Sequence, residues 1–218
     1  MNNNVVRSVP FHLQIYRLIR EQIISGQRKP KERLLEAKIA KELNVSRTPV
    51  REALRMLEQD GLIINVENAL IVFPMQFEDI EEVYQCRIAT EPYAAYLAAD
   101  TLSNSDLSQL EKYIQQAEAA YQNQSFEEVV ESNTHFHDLI VCASGNKRLI
   151  EINDRLSSLI LLFRNAELKE FSRPRDYLEE HRLILDALKS KNKSEVEKLV
   201  RIHIENDWSY LKQKLLDH

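Results

Sequence analysis

Glycine is nearly missing from this chain. Only Gly26, Gly61 and Gly145 occur in 218 residues, which argues against a turn-rich β architecture and for long helices with few tight turns. Cysteine is equally sparse: Cys86 and Cys142 stand far apart with no CxxC spacing, so a redox pair or thiolate metal site is not indicated and two buried, inert thiols are expected. No apolar run approaches membrane-spanning length, and MNNNVVRSVP lacks the apolar centre of a signal peptide, so a cytoplasmic protein is expected. The net charge of −5 does not by itself suggest a nucleic-acid partner.

What is present is unevenly distributed. Residues 1–74 carry twelve Lys/Arg against eight Asp/Glu, whereas residues 75–218 carry seventeen against twenty-six. A basic first module on an acidic body fits DNA contact through one end. Beyond a loose arm over residues 1–9, the segment Phe11–Ser25 reads as a helix with Ile15, Leu18, Ile19, Ile23 and Ile24 inward and His12 on the surface. A basic loop, GQRKPKERL, precedes a second short helix over Leu34–Leu43.

The third segment, NVSRTPVREALRMLEQDGLI (Asn44–Ile63), organises the module. Val45, Val50, Leu54 and Leu57 fall on one helical face, leaving Arg47, Thr48, Arg51 and Arg55 on the other. Ser46 stands at the N-cap position, Pro49 in the first turn needs no donor, and Gly61 suits a left-handed C-terminal residue. Two short helices about a tight turn, the second bearing arginines, form the helix-turn-helix layout for the major groove. The alternative is a helical hairpin with a solvated charged face. Leu62–Phe73, β-branched and interrupted by Glu67, Asn68 and Ala69, predicts a short hairpin.

VSRTPVREAL followed by DGLI resembles the winged helix of the GntR family of bacterial transcription regulators over roughly residues 8–74. The resemblance implies that Arg47, Thr48, Arg51 and Arg55 contact operator DNA. Two departures stand out. The wing tip offers Glu67, Asn68 and Ala69 where relatives carry glycine, and Ala37 stands where the fatty-acid-responsive branch places a DNA-contacting arginine.

After Pro74 every segment reads as helix, about 77–99, 104–121, 125–143, 146–168, 174–190 and 193–216, with Ser103, Asn104, Ser125 and Ser194 as candidate caps. An all-α bundle of six helices over 75–218 follows, the second of two domains after a first over 1–74. The apolar run Leu159–Phe163 is a candidate dimer face. Polar residues interrupt the inward stripes. Asn133 and His137 share the stripe of Phe126, Val129, Val130, Ile140 and Val141, while His135 points away. His181 lies in the stripe of Tyr177, Leu178, Ile184, Leu185 and Leu188, and His203 in that of Val196, Leu199, Val200, Tyr210 and Leu211. Each buried imidazole needs a partner, and one shared divalent cation serves all three with the Asn133 oxygen; zinc suits such donors, with nickel or manganese as alternatives. His218 stands apart from this set.

NTHFH with SGNKRL after it, EHRLILDAL, and a histidine 22 residues beyond His181 resemble the FCD effector domain of the fatty-acid-regulator branch. Six helices rather than seven point to its vanillate-regulator-like (VanR-like) subgroup. The resemblance implies a metal held by Asn133, His137, His181 and His203, and a small organic acid beside it. Arg87 and Glu91 interrupt the apolar face of Ile80, Val83, Tyr84, Ala94, Ala95 and Ala98. They form either an internal ion pair or, as the resemblance implies for Arg87, a wall of the effector cavity, where guanidinium holds a carboxylate by two parallel bonds. Arg164 is a further candidate. Pro92 interrupts the same helix and can kink it toward the cavity. The implied protein is a homodimeric repressor on an imperfectly palindromic operator. A metallohydrolase with three histidines, which would need a base such as Glu180 or Glu205, and a metal sensor or structural metal site without an organic effector are the rival readings.

Overall fold

The structure is a computed structural model and describes residues 9–171 and 176–216. Residues 1–8, the expected first two residues of the 174–190 helix, and His218 lie outside the described residues. In chain order the elements are α1 (Phe11–Ile24), α2 (Glu36–Glu42), α3 (Arg47–Gln59), β1 (Ile63–Val66), β2 (Ala69–Val72), α4 (Phe77–Thr101), α5 (Asn104–Gln122), α6 (Phe126–Ala143), α7 (Lys147–Phe171), α8 (Asp176–Lys189) and α9 (Lys193–Leu216). The chain divides into two compact units between Met75 and Gln76.

In the first unit α1 packs on α3. Ile15, Ile19 and Ile23 meet a core completed by Val50, Ala53, Leu54, Leu57, Leu62 and Ile63, all buried. Burial of a side chain such as Leu54 or Leu57 contributes about 1.5–3 kcal/mol. Leu18, expected inward, is 39% exposed; α1 has one neighbouring helix face to cover, and a stripe five residues wide exceeds it. Ser46 holds the N-cap position of α3 in extended conformation, but its side chain makes no capping bond. The far end is closed by two backbone bonds, from Gly61 N to Glu58 O at 3.1 Å and from Leu62 N to Leu57 O at 3.0 Å. Gly61 takes φ +72° there, the left-handed geometry that this closure requires.

β1 and β2 pair antiparallel with Val66 opposite Ala69, so Glu67 and Asn68 form a two-residue turn, with φ of 50° and 63°. Two successive left-handed residues are the mark of a type I′ hairpin. The wing therefore forms without glycine, at the cost of a glutamate in a conformation that disfavours it. Arg33 bridges to Ile71 on the free edge of β2.

The second unit is a bundle of α4–α9, the six helices expected, in which α4 lies along α9, α5 along α6, and α8 against α9 and α5. Capping explains several starts. Gln76 and Asp79 form a capping box on α4, and Ser103 and Asp106 form one on α5. Ser125 precedes α6 without a side-chain bond. Ser194 lies inside the first turn of α9, where the Asn192 side chain instead accepts from Glu195 N at 3.3 Å. α4 runs on through Pro92. Two further expectations are corrected. Cys86 and Cys142 are free and exposed, since neither falls on an apolar stripe. Ile160, Leu162 and Phe163 are buried within their own bundle, so most of the Leu159–Phe163 run is used internally.

Candidate metal centre and nucleic-acid interface

Helical spacing puts His137 on α6, His181 on α8 and His203 on α9 among buried leucines, isoleucines and valines, and packing of the three helices brings the rings together. His203 Nε2 lies 3.2 Å from His181 Nε2 and 3.2 Å from His137 Nε2. All three imidazoles are at most 4% exposed. Phe136 stacks on His181 with centroids 4.3 Å apart, which holds that ring's plane.

The outer nitrogens decide what the inner ones can do. His203 Nδ1 is 2.6 Å from Glu180 Oε2. His137 Nδ1 faces Glu91 Oε2 at 3.0 Å, close enough for the carboxylate charge to draw the ring proton to that nitrogen. A carboxylate only accepts, so both Nδ1 atoms carry the proton and both Nε2 atoms present lone pairs. Burial, with the Arg164 guanidinium nearby, pushes the His137 imidazole down to about 3, so it does not protonate to relieve the opposition. Lone pairs facing each other at 3.2 Å repel unless a cation lies between them. The spacing is near the edge of a tetrahedron about an ion with bonds of about 2.0–2.1 Å to imidazole nitrogen. Asn133, one turn before His137 on the same buried face, has an Oδ1 buried without a hydrogen bond, an oxygen donor of the type such an ion takes. The three imidazoles therefore suit a divalent cation, and the Asn133 oxygen is of the type that would complete such a set.

Around this cluster lie charges that are seldom buried. Arg87 Nε donates to Glu91 Oε1 at 2.7 Å, so the internal ion pair exists. Its Nη1 and Nη2 make no hydrogen bond, although Asp207 Oδ2 stands 4.0 Å from Nη1. The ion-pair and anchor readings are thus compatible: one edge of the guanidinium is used and the other is open. Burial would raise the Glu91 carboxyl, but Arg87 and His137 outweigh it and hold it well below the usual range. Arg164, also buried, donates from Nη1 to Thr134 Oγ1 at 3.0 Å, and its Nε has no partner. The cavity bounded by Glu91, Phe136, His137, Ile140, Val141, Ile184 and Val200 is small, with about 10 Å³ for the centres of water molecules, room for one water. A larger open groove between α5 and α6, lined by Tyr113, Glu128, Glu131 and His135 among others, touches none of the three histidines.

Sequence reasoning missed two parts of this centre. Glu180, considered from sequence only as a base for a hydrolase, reaches α9 and also accepts from Asn206 Nδ2 at 2.7 Å. Asp207 lies four residues after His203, and its Oδ2 is 3.5 Å from His203 Nε2. Helical spacing alone would have found Asp207; no local signal marks Glu180. Glu205 is exposed.

In the first unit Arg47, Thr48, Arg51 and Arg55 all lie on the exposed face of α3. Arg51 is held by α2. Its Nε lies 3.0 and 3.2 Å from the two oxygens of Glu36, and its Nη2 lies 3.0 Å from Oε2.

The fold and these two centres define a transcription regulator with a winged helix-turn-helix and a helical FCD domain. Residues 11–69 match the family described as bacterial regulatory proteins, gntR family, and residues 82–206 match the FCD domain. The chain belongs to the GntR family. It is 34% identical over 211 residues to YdhC, an uncharacterized HTH-type transcriptional regulator of Bacillus subtilis (strain 168), covering 96% of this chain and 94% of that one. It is 27% identical to the HTH-type transcriptional repressor RspR of Escherichia coli (strain K12), over 90% and 86% of the two chains. The solved structure of E. coli McbR/YncC superposes with a TM-score of 0.80 at 26% identity, covering 95% of this chain and all of that one. These relatives are regulators, not enzymes. The GntR helix-turn-helix implies DNA binding, the FCD domain implies a small-molecule effector, and homodimers are typical of the family. FCD domains commonly bind a metal. Among the described residues no helix is long and apolar enough to cross a membrane.

Proposed function

We propose that the protein is a cytoplasmic, homodimeric repressor of the VanR-like subgroup, released from or fixed to an imperfectly palindromic operator by a small carboxylate bound beside a divalent metal ion. Residues 1–74 bind DNA through Arg47, Thr48, Arg51 and Arg55. Residues 75–218 hold metal and effector and form the dimer. The six helices of the second unit support the subgroup, and the repressor RspR among the relatives supports the direction of control.

The observation that carries the reading is the convergence of the His137, His181 and His203 Nε2 atoms, with Glu91 and Glu180 beside the outer nitrogens of His137 and His203. Asn133, His137, His181 and His203 would hold the ion, zinc being the best match to three imidazoles and one oxygen, with nickel or manganese next. Once bound, the ion supplies positive charge that an anionic effector can share. Arg87 keeps its Nη1/Nη2 edge for the effector carboxylate while Glu91 holds its Nε. Because the cavity admits only one water, effector binding requires the bundle to open. That is how occupancy would reach the DNA-binding units, through the differential affinity of the ligand for two arrangements.

The small cavity also favours a second reading, in which the ion acts alone as signal or as structural tie. Elemental analysis and thermal shifts with a panel of organic acids, with and without chelator, separate the two. The wild-type protein is expected to hold metal and to be stabilised by at least one acid. His181→Ala should lose both properties, and Arg87→Ala only the second. Full metal content in the His181 variant would remove the ligand assignment. Metal without any acid response in the wild type would leave the sensor reading.

A further inference from the structure

Arginines on a recognition helix are mobile side chains that bind phosphate anywhere along a duplex as readily as they bind a base. Something must restrict them if they are to read sequence. Arg47, Arg51 and Arg55 follow one another at four-residue intervals along the exposed face of α3. The middle one differs from its neighbours. Glu36, in the first turn of α2, approaches the side edge of its guanidinium with both carboxylate oxygens, at 3.0 and 3.2 Å from Nε and 3.0 Å from Nη2. The Arg51 side chain is 55% exposed and that of Glu36 30% exposed, so this pair is not buried for stability. Among the described residues neither Arg47 nor Arg55 has an ion-pair partner. The hydrogen bond from Arg51 holds the Glu36 carboxyl below its ordinary range, and the charges of Arg47 and Arg55 add to this.

We propose that Glu36 is a specificity-determining residue of the DNA interface: it grips the Nε/Nη2 edge of Arg51 so that the Nη1/Nη2 end projects as a fixed pair of donors toward one guanine. This rests on the reading that α3 enters the major groove. The chemistry follows from the fork shape of guanidinium, which has two edges, each able to hold a two-point acceptor. Glu36 occupies one. The other matches guanine O6 and N7, which accept as a pair in the major groove. A phosphate would compete for the same donors, but Glu36 places a negative charge beside it and weakens that competition. The carboxylate thus lowers affinity for random DNA while sharpening the choice of base. A glutamate that merely complements the start of α2 would do the first and not the second.

The test uses the full-length protein as wild type, Glu36→Gln and Arg51→Ala, each put through selection on a randomised duplex pool. Each is then titrated against the duplex the wild type selects and a scrambled duplex of the same composition, over a salt series. Arg51→Ala is expected to lose preference for guanine at one position of each half-site. Glu36→Gln is expected to lose it at the same position, with discrimination between the two duplexes falling about fivefold or more, the lower end of what one two-point base contact supplies. Its affinity for the scrambled duplex should rise, and the salt slope there should steepen by up to about one unit as one repelling charge is removed. Neither residue is buried, so melting temperatures should match and serve as the folding control. A Glu36→Gln protein that selects the same guanine with undiminished discrimination, while Arg51→Ala loses it, would overturn the grip and leave Glu36 a helix-start charge. An Arg51→Ala protein that selects the wild-type sequence would instead overturn the placement of α3, and the proposal with it.

Discussion

Acid should destabilise the metal-stripped protein through His137 well before it protonates the carboxylates. The imidazole titrates at about 3 in the folded chain because burial and Arg164 oppose its charge, against about 6.5 when unfolded. Between those values the unfolded chain binds more protons than the native one, so stability rises with pH. The contribution is full above the unfolded value and is lost as pH falls toward the folded one. Between pH 7 and pH 5 this single group removes about 2 kcal/mol, or about 4–8 °C of melting temperature for a chain of this size. Trp208, the single tryptophan, packs against Tyr84 and Phe77 with centroids 5.4 and 5.5 Å away, so its fluorescence follows unfolding of the bundle. The experiment compares melts of chelated wild type and His137→Gln at both pH values. Other groups titrate alike in the two proteins, so the wild type should lose more by about the amount given. Equal losses would refute the burial argument and with it the claim that His137 stays neutral without metal.

Two further outcomes follow from named contacts. Glu91→Gln removes the charge that pairs with buried Arg87 at 2.7 Å and should lower stability by about 3–5 kcal/mol, the usual consequence of leaving a buried ion without its partner; chemical denaturation of the chelated protein checks it. Glu67→Gly relieves a left-handed glutamate at the wing tip and should stabilise the hairpin by about 1 kcal/mol. It also removes a negative charge from the unit that carries the α3 arginines, so scrambled-duplex affinity measured at two salt concentrations should rise.

Most of the histidine cluster was legible because helical periodicity is a strong signal wherever a stripe is otherwise apolar. His137, His181 and His203 each interrupt a run of leucine, isoleucine or valine, and burial of that run drags them inward. The recognition face was legible for the same reason in reverse, since burial of Val50, Ala53, Leu54 and Leu57 leaves the arginines outside. What spacing could not give was contact across helices. Glu180 sits about 100° around α8 from His181, and only the packing of α9 beside it brings it to His203. Glu36 and Arg51 are fifteen residues apart and meet only through the crossing of α2 and α3. The width of a buried stripe was overread at Leu18, and isolated cysteines were assigned to a core that has no place for them.

The histidine cluster sets an order on the life of each newly made copy. The first unit is closed on itself by Met75, so its arginine face can form while most of the chain is still unmade. Seventy residues separate Asn133 from His203, a gap of about 4–14 s at ribosomal rates of roughly 5–20 residues per second. Within that interval the chain completes α6 and α8, and the histidines can meet only once α9 follows. A copy on the ribosome can therefore carry a folded arginine face before its three histidines are able to meet.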